Sequence, residues 1–450
     1  MSAARRLAFG LLVLMAWLAA GACVLAKEAP PHEKVEPLLP ELKWQAGELL
    51  TLDECIVRGW SHPTLAVQKA KIAQQEAVVR QALALYLPSM GIFADKIFQD
   101  TPWDPPQQAD ANIGITGTIW DSFQRGEQLA AAREALRASV YDFHSTWVTQ
   151  VDSIREAYYT VLLDELFLLI QEDDLSRTQM NAQAAAGFLR AGLKSMIDYT
   201  QAQVQVSQSK VAVIKARNTL RDARIALAQL IATDPRDVAT RPVENLLVES
   251  PIIPEAKAAR ERLEQINPSL LAFEYQARAA LAQARFQGRQ WMPTITGTAY
   301  IGGSNAIFAD MLSWQTSVNL NFPFYQPGIV PLMDQQKALA SQFQSQKAAT
   351  RLQLLQNLAT AYVDFDGAAQ RVVAGETEVR LSLMNQRLST RRYAEGISEI
   401  TELVNARSFL NSARTDYANA LRDRRVAEAH LLQAIGEAPI PRNAKAPAAR

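Results

Sequence analysis

The sequence holds little cysteine, little histidine and no surplus of either charge, and each shortage removes a class of function. Its 450 residues include two cysteines, Cys23 and Cys55. Cys23 falls in the apolar amino-terminal stretch, which leaves Cys55 without an intramolecular partner. No disulfide framework is expected, and Cys55 reads as a small buried residue. The four histidines, His32, His62, His144 and His430, show no metal-ligand spacing, and neither a phosphate loop nor a nucleophile elbow occurs. Catalysis and a cofactor are therefore not expected. Lys plus Arg equals Asp plus Glu at 46 each, so the summed charge carries no footprint for nucleic acid. Beyond the amino terminus no apolar run reaches about 18 residues, the length that marks a membrane-crossing helix. Such a chain crosses a membrane only with strands closed into a barrel, where every backbone polar group is paired.

What is present begins with Arg5 and Arg6, an apolar stretch from Leu7 to Ala20, and small residues after it. This is the layout of a secretory signal peptide, with cleavage expected after Ala26 and a mature chain starting at Lys27. The text from Leu18 to Cys23 also loosely resembles a lipoprotein box, so lipidation at Cys23 is the alternative. The expected partition is a signal peptide over 1–26, an amino-terminal extension over 27–50, repeats over 51–240 and 255–436 joined by a linker over 241–254, and a disordered tail over 437–450.

The repeats are read from landmarks recurring at a spacing of about 202 to 205 residues. Pro63 returns as Pro268, Pro88 as Pro293, Gly126 as Gly328 and Gly192 as Gly396. Each half reads as helix, two strands, very long helix, turn and long helix. Thr51 and Glu54 have capping-box spacing, so the first helix is expected from Asp53 to Tyr86, and its counterpart from Glu255 to Gln290. Both end before a proline that cannot continue them.

After those prolines the helical period is lost. Ser89 to Phe98, Asn112 to Trp120, Thr294 to Ile301 and Ser313 to Phe322 are expected to be strands with one apolar face and one small or polar face. In a soluble sandwich the apolar face would meet another sheet; in a membrane barrel it would meet lipid. Trp103, Trp120, Trp291 and Trp314 fall in or beside these strands, as an interfacial belt would require, although edge-strand or core tryptophan is the alternative.

From Gly126 to Arg190 there is no proline, and a helix of that length spans about 90 Å. A similar helix is expected after Pro331, ending near Arg392. The helices that follow carry heptads: Val206, Val213, Leu220 and Leu227 in one half, and Leu403, Leu410, Tyr417, Arg424 and Leu431 in the other. Rows of small residues run beside them: Ser209, Ala216 and Ala223, then Ala413, Ala420, Ala427 and Ala434. In the first long helix the row Trp147, Val151, Ile154 and Tyr158 passes to Leu162, Leu166 and Leu169, with successive steps of four from Ile154 to Leu166. Such a stutter relaxes left-handed supercoiling and suits helices packed side by side around a cylinder. Taken alone, the helices also fit a fibrous rod.

Together these features resemble the TolC-like outer-membrane efflux proteins, over nearly the whole chain from Thr51 to Gly436. The text that carries the resemblance includes Asn267-Pro268-Ser269-Leu270, Met292-Pro293-Thr294, Leu320-Asn321-Phe322-Pro323-Phe324-Tyr325-Gln326-Pro327-Gly328 and Tyr393-Ala394-Glu395-Gly396. The resemblance implies a mainly α protein with a small β part. It further implies a homotrimer in which four strands per chain build a 12-stranded β-barrel, joined to an α-helical tunnel in the periplasm. It implies an outer-membrane exit duct working with a periplasmic adaptor and an inner-membrane transporter, in contact with outer-membrane lipid.

It also implies a periplasmic gate near the two hairpin turns. Asp198 and Tyr393 match family gate positions, Glu402 stands at one ring-aspartate position, and Asn405 stands where the other would be. Ser398 replaces a family arginine, so part of that network is absent. The competing reading of the whole chain is a periplasmic or lipid-anchored coiled-coil scaffold whose strands form a soluble cap.

Overall fold

The computed structural model describes residues 49–98, 107–234, 239–240, 254–304 and 313–439. The expected signal peptide, Cys23, His32, Trp103 and all but the last residue of the expected 241–254 linker lie outside them. The protein is mainly helical, with one small antiparallel sheet of four strands and a two-residue parallel pair, β1 (Leu49–Leu50) with β4 (Ala239–Thr240).

The first half runs α1 (Leu52–Gly59), α2 (Pro63–Ala84), β2 (Ser89–Phe98), β3 (Gln107–Trp120), α3 (Gln124–Arg190) and α4 (Met196–Leu230). The same order follows as α5 (Ala256–Ile266), α6 (Pro268–Arg289), β5 (Thr294–Ser304), β6 (Ser313–Asn321), α7 (Ile329–Ala394) and α8 (Ile400–Ile435). The expected capping box opens α1: Glu54 N–H donates to Thr51 Oγ1 at 3.3 Å, and Thr51 N–H donates to Glu54 Oε2 at 2.6 Å.

The single helices expected over Asp53–Tyr86 and Glu255–Gln290 are each two helices. Pro63 and Pro268 are the cause. Proline disfavours the helical conformation in the residue before it, and here His62 (ψ 140°) and Asn267 (ψ 120°) are extended. Both turn this to use as N-caps: Thr64 N–H donates to His62 Nδ1 at 3.2 Å and Ser269 N–H to Asn267 Oδ1 at 3.0 Å. Pro331 does not delay α7, which begins at Ile329, because a proline in the first helical turn removes no intrahelical bond.

The sheet order is β2-β3-β5-β6. The helices those strands adjoin lie in the same order, α2-α3-α6-α7, and beyond the ends of α2 and α6 the order becomes α4-α3-α8-α7. Each strand is thus prolonged by a helix, and the chain forms one layer from sheet to hairpin turns. Ser122 (φ 55°) and Phe123 (φ 67°), both left-handed, turn β3 into α3, and Asp121 Oδ2 accepts from Arg125 N–H at 2.9 Å.

The register sets the faces, because residues directly opposite in an antiparallel pair share one. Ile92 pairs with Ile113, Ile113 with Ile301, and Ile301 with Trp314. Ser89 pairs with Thr116, Thr116 with Thr298, and Thr298 with Ser317 on the other face. Met90, Ile92, Val318 and Leu320 are more than 60% exposed, so the described residues leave most of the apolar face uncovered. Trp120 and Trp314 are exposed on it and Trp291 is half-buried beside it, whereas the core tryptophans are Trp60 and Trp147, edge to face at 4.7 Å.

The hairpin seams follow the heptads. Val206, Val213, Leu220 and Leu227 are buried on α4, and Ala413, Ala420, Ala427 and Ala434 on α8. The stutter in α3 continues one step further than expected. Leu169 is 57% exposed and Ile170 is buried, which extends the steps of four through Leu162 and Leu166. At the carboxy end, Ala438 packs on the core and Trp147 Nε1–H donates to Pro439 O at 3.2 Å.

Candidate functional site at the hairpin turns

Both long hairpins reverse by the same backbone device. Leu193 N–H donates to Phe188 O and Gly192 N–H to Leu189 O; Ile397 N–H donates to Arg392 O and Gly396 N–H to Tyr393 O. This pair of bonds is a Schellman motif, which needs a left-handed residue, supplied by Gly192 (φ +71°) and Gly396 (φ +76°). A Cβ at either glycine would meet nothing within 4 Å, so the backbone angle alone demands glycine.

The helices restart differently. Ser195 caps α4 through a box with Asp198, each accepting the other's backbone N–H at 3.3 Å. Glu399 opens α8 without a side-chain cap.

The two turns meet inside one chain. Tyr393 is 3% exposed, packs edge to face with Phe188 at 5.9 Å, and shares a core with Ala185, Val206, Ile400 and Leu403. Lys194 Nζ stands 5.4 Å from the Tyr393 ring centroid and donates to Ser398 O at 3.0 Å. Burial, reinforced by the charge of Asp198, pushes the Tyr393 phenol above its ordinary range. Its hydroxyl has no hydrogen-bond partner among the described residues, and neither does the Ser398 hydroxyl. Glu402 Oε1 is 3.0 Å from Arg392 Nη1, which neutralises it locally. Asn405 is exposed on α8. The structure therefore brings Asp198 near Tyr393, pairs Glu402 with Arg392, and leaves Asn405 apart.

Lys194, Arg392 and Phe188 escaped the sequence reading. So did a polar seam higher up, where α3 of one hairpin packs on α8 of the other. Asp174 Oδ1 lies 3.0 Å from Arg407 Nε, Asp173 Oδ2 accepts from Arg414 Nη1 at 2.7 Å, and His430 Nε2 is 3.8 Å from Asp152 Oδ2. Asp174 Oδ2 accepts from Ser209 Oγ at 2.7 Å, and Arg407 Nη2 donates to Gln205 Oε1 at 2.8 Å, so α4 joins the cluster. The buried Ser209 in the small-residue row was its one sequence signal. Burial raises the carboxyls of Asp152 and Asp164, against the opposing charges of His430 and Arg422. Burial acts in the same sense on Asp173, but hydrogen bonds from Arg414 and Arg177 outweigh it and hold that carboxyl below its usual range.

These groups join helices and form no nucleophile-and-base pair. Burial pushes the Cys55 thiol up to about 12, so it is an inert core residue. Among the described residues no His, Cys, Asp and Glu cluster is placed to hold a metal, and no helix is long and apolar enough to cross a membrane.

Comparison with known proteins gives a consistent answer. The profile of the family described as outer membrane efflux protein matches residues 61–233 and 259–437, one match to each series of elements. Protein CyaE of Bordetella pertussis is 26% identical over 415 residues, covering 86% of this chain and 84% of CyaE. Outer membrane protein TolC of Escherichia coli is 23% identical over 406 residues, covering 84% of this chain and 80% of TolC. The crystal structure of the outer membrane protein VceC of Vibrio cholerae aligns with a TM-score of 0.74 at 16% identity, covering 86% of this chain and 96% of VceC.

Proposed function

The chain belongs to the outer membrane efflux protein family of TolC-like channels, and we propose that it is the passive exit duct of a tripartite efflux or type I secretion assembly. Its place is the outer membrane and its role is transport. The duct does no covalent chemistry and takes its energy from a partner.

The observation that carries this reading is that, among the described residues, one chain leaves two edges open from the sheet to the hairpin turns. One edge is β2, α2 and α4; the other is β6 and α7. Both are apolar. Ile197, Val204 and Val211, each seven residues from the next, are exposed on α4, as are Val373, Leu381 and Leu388 on α7. A head-to-tail contact between such edges closes into a ring when the rotation suits. Three copies of the four-stranded sheet make a 12-stranded barrel without free edges, the form a strand needs in lipid. The uncovered apolar face then meets lipid and the Thr and Ser face lines the lumen. Strands of 9 to 14 residues are long enough to cross when tilted.

The long hairpins project into the periplasm, where a periplasmic adaptor and an inner-membrane transporter meet the turns. Asp198, Tyr393 and Glu402 belong to the gate at that end, with Asn405 at its lumenal margin. The test is single-channel conductance of the detergent-purified mature protein in planar bilayers, with its mass measured on the same sample. Stable conductance from a trimer is expected. A detergent-independent rod that does not conduct overturns the duct in favour of a coiled-coil scaffold.

A further inference from the structure

The two repeats keep one register from the middle of the long helices to the turns. Tyr158 Oη donates to Leu50 O at 3.3 Å, and Tyr362 Oη donates to Pro254 O at 2.6 Å. Both the donors and the acceptors of these bonds are 204 residues apart. Gly192 and Gly396 keep the same spacing at the turns, as do the buried pairs Val206 with Leu410 and Leu227 with Leu431 on α4 and α8. A position on the lower half of α3, or on α4, therefore has its counterpart 204 residues on, in α7 or α8.

This register brings out a stripe that is covered in one repeat and bare in the other. On α8, Arg407, Arg414, Ala418, Arg422, Arg425 and Ala429 follow one another by steps of three, four and seven, which keeps them on one side of the helix. That side is covered by α3. Arg407 lies 3.0 Å from Asp174, Arg414 lies 2.7 Å from Asp173, and Ala418 and Ala429 are at most 2% exposed. The counterpart stripe on α4 is Gln203, Lys210, Ile214, Asn218, Arg221 and Ile225, and every member is exposed, Ile214 at 58% and Ile225 at 51%. The counterparts of the covering residues are bare as well. Asp173 and Asp174 become Thr377 and Glu378, both exposed on α7, and Tyr159, whose phenol feels the charge of Arg425, becomes Val363, 72% exposed. The two bare stripes stand at opposite ends of the helix order α4-α3-α8-α7.

The bare stripes are complementary. Lys210 keeps the positive charge of Arg414 and Glu378 the negative charge of Asp174, while Gln203 and Thr377 replace the other two charged positions by neutral ones. Neither Lys210 nor Glu378 has an ion-pair partner among the described residues. Apolar volume is exchanged in the same way, since Ile225 is larger than its counterpart Ala429 and Val363 is smaller than Tyr159.

We infer that α4 of one copy docks on α7 of the next in the register of the α3–α8 seam, with Lys210 paired to Glu378 of the next copy and Ile225 set against its Val363. This rests on the duct reading above and names the contact by which its ring closes. The seam between chains then repeats the seam between hairpins of one chain, so each hairpin has like neighbours on both sides, as a head-to-tail ring requires. The seam between chains keeps one acid–base pair at this level where the seam within a chain has two.

The test is cross-linking of the purified full assembly with a short bismaleimide, read as multiples of the chain mass on a denaturing gel. Lys210→Cys with Glu378→Cys should give covalently linked chains, and neither single variant should. Lys210→Cys with Asn385→Cys, one heptad or about 10 Å further along the same side of α7, should give several-fold less. Cys55 is buried and does not compete. Charge exchange gives a second readout: Lys210→Glu should lower the share of trimer in mild detergent, and Lys210→Glu with Glu378→Lys should restore it. Stronger linking through position 385 than through 378, or a trimer of unchanged mass in which neither pair links, overturns the inference and leaves the duct standing. A loss of trimer in Lys210→Glu that the second exchange does not repair overturns the pairing as well. A wild type that is monomeric and does not conduct overturns the duct reading, and this inference with it.

Discussion

Arg407 on α8 lies with its Nε 3.0 Å from the buried Oδ1 of Asp174 on α3, tying the second hairpin to the first across 233 residues of sequence. Both side chains are at most 11% exposed, so neither charge has water to fall back on. Removing one partner of a buried pair costs about 3 to 5 kcal/mol, chiefly because the other charge is stranded. Arg407→Ala should therefore lower the thermal midpoint in detergent sharply. Replacing both, Arg407→Met with Asp174→Leu, should recover most of the loss. If Arg407→Ala melts with the wild type, the pair does not tie the hairpins together.

Tyr393 separates two ideas of a gate residue. Its ring is buried against Phe188 while its hydroxyl bonds to nothing among the described residues. Tyr393→Phe should leave stability unchanged or slightly raised, since a desolvated hydroxyl without a partner is a liability. Tyr393→Ala should cost about 3 to 5 kcal/mol, as other large-to-small aromatic truncations do. Conductance gives the second readout. If Tyr393→Phe alone raises it, the hydroxyl acts between chains in the assembled ring, in addition to the packing inside one chain.

The turns make a narrower prediction. Because a Cβ at Gly396 meets nothing and only its φ of +76° is unfavourable, Gly396→Ala should cost about 1 to 2 kcal/mol, and Gly396→Asn less. Thermal melts followed by helicity would check this ordering. A larger loss for Asn than for Ala would mean that space is at issue, and not backbone angle.

What could be read from the sequence follows from the range of the interactions involved. The strand Ser89–Phe98, the capping box at Thr51 and the Ala413 to Ala434 row are local patterns, and they stand as read. The start of β3 was missed by five residues, Gln107 instead of Asn112, because Gln107 to Ala111 has little alternation of its own and is held by its partners in β2. The break at Pro63, inside a stretch expected as one helix, rests on the effect of a single residue on the backbone of His62. At the turns, Gly192, Gly396 and Tyr393 announced themselves by position. The pairing of Arg392 with Glu402, the reach of Lys194 to Ser398, and the Asp174–Arg407 tie depend on which faces of separate helices meet, and no spacing along the chain encodes that.

Asp164 sits on α3 at the seam with α8, 6% exposed, and burial raises its carboxyl despite the charge of Arg422. A carboxyl that binds its proton more tightly in the folded protein than in the unfolded chain makes stability fall as pH rises through the window between its unfolded and folded values. Above that window the charged form carries the full penalty; below it both states are protonated and the penalty is gone. Asp164→Asn should therefore raise the thermal midpoint at neutral pH, and the advantage should fade as pH falls into the ordinary carboxylate range. Arg422 keeps a partner in the variant, because Asp423 Oδ1 lies 3.1 Å from its Nε. Asp173 has the opposite sign: its carboxyl is held low, so it contributes stability at neutral pH that is lost on acidification. Melts of the wild type, Asp164→Asn and Asp173→Asn across that pH range should show the first variant gaining and the second losing at neutral pH. If Asp164→Asn loses stability there, its attraction to Arg422 outweighs the cost of its burial, and the seam is stabilised by its charges.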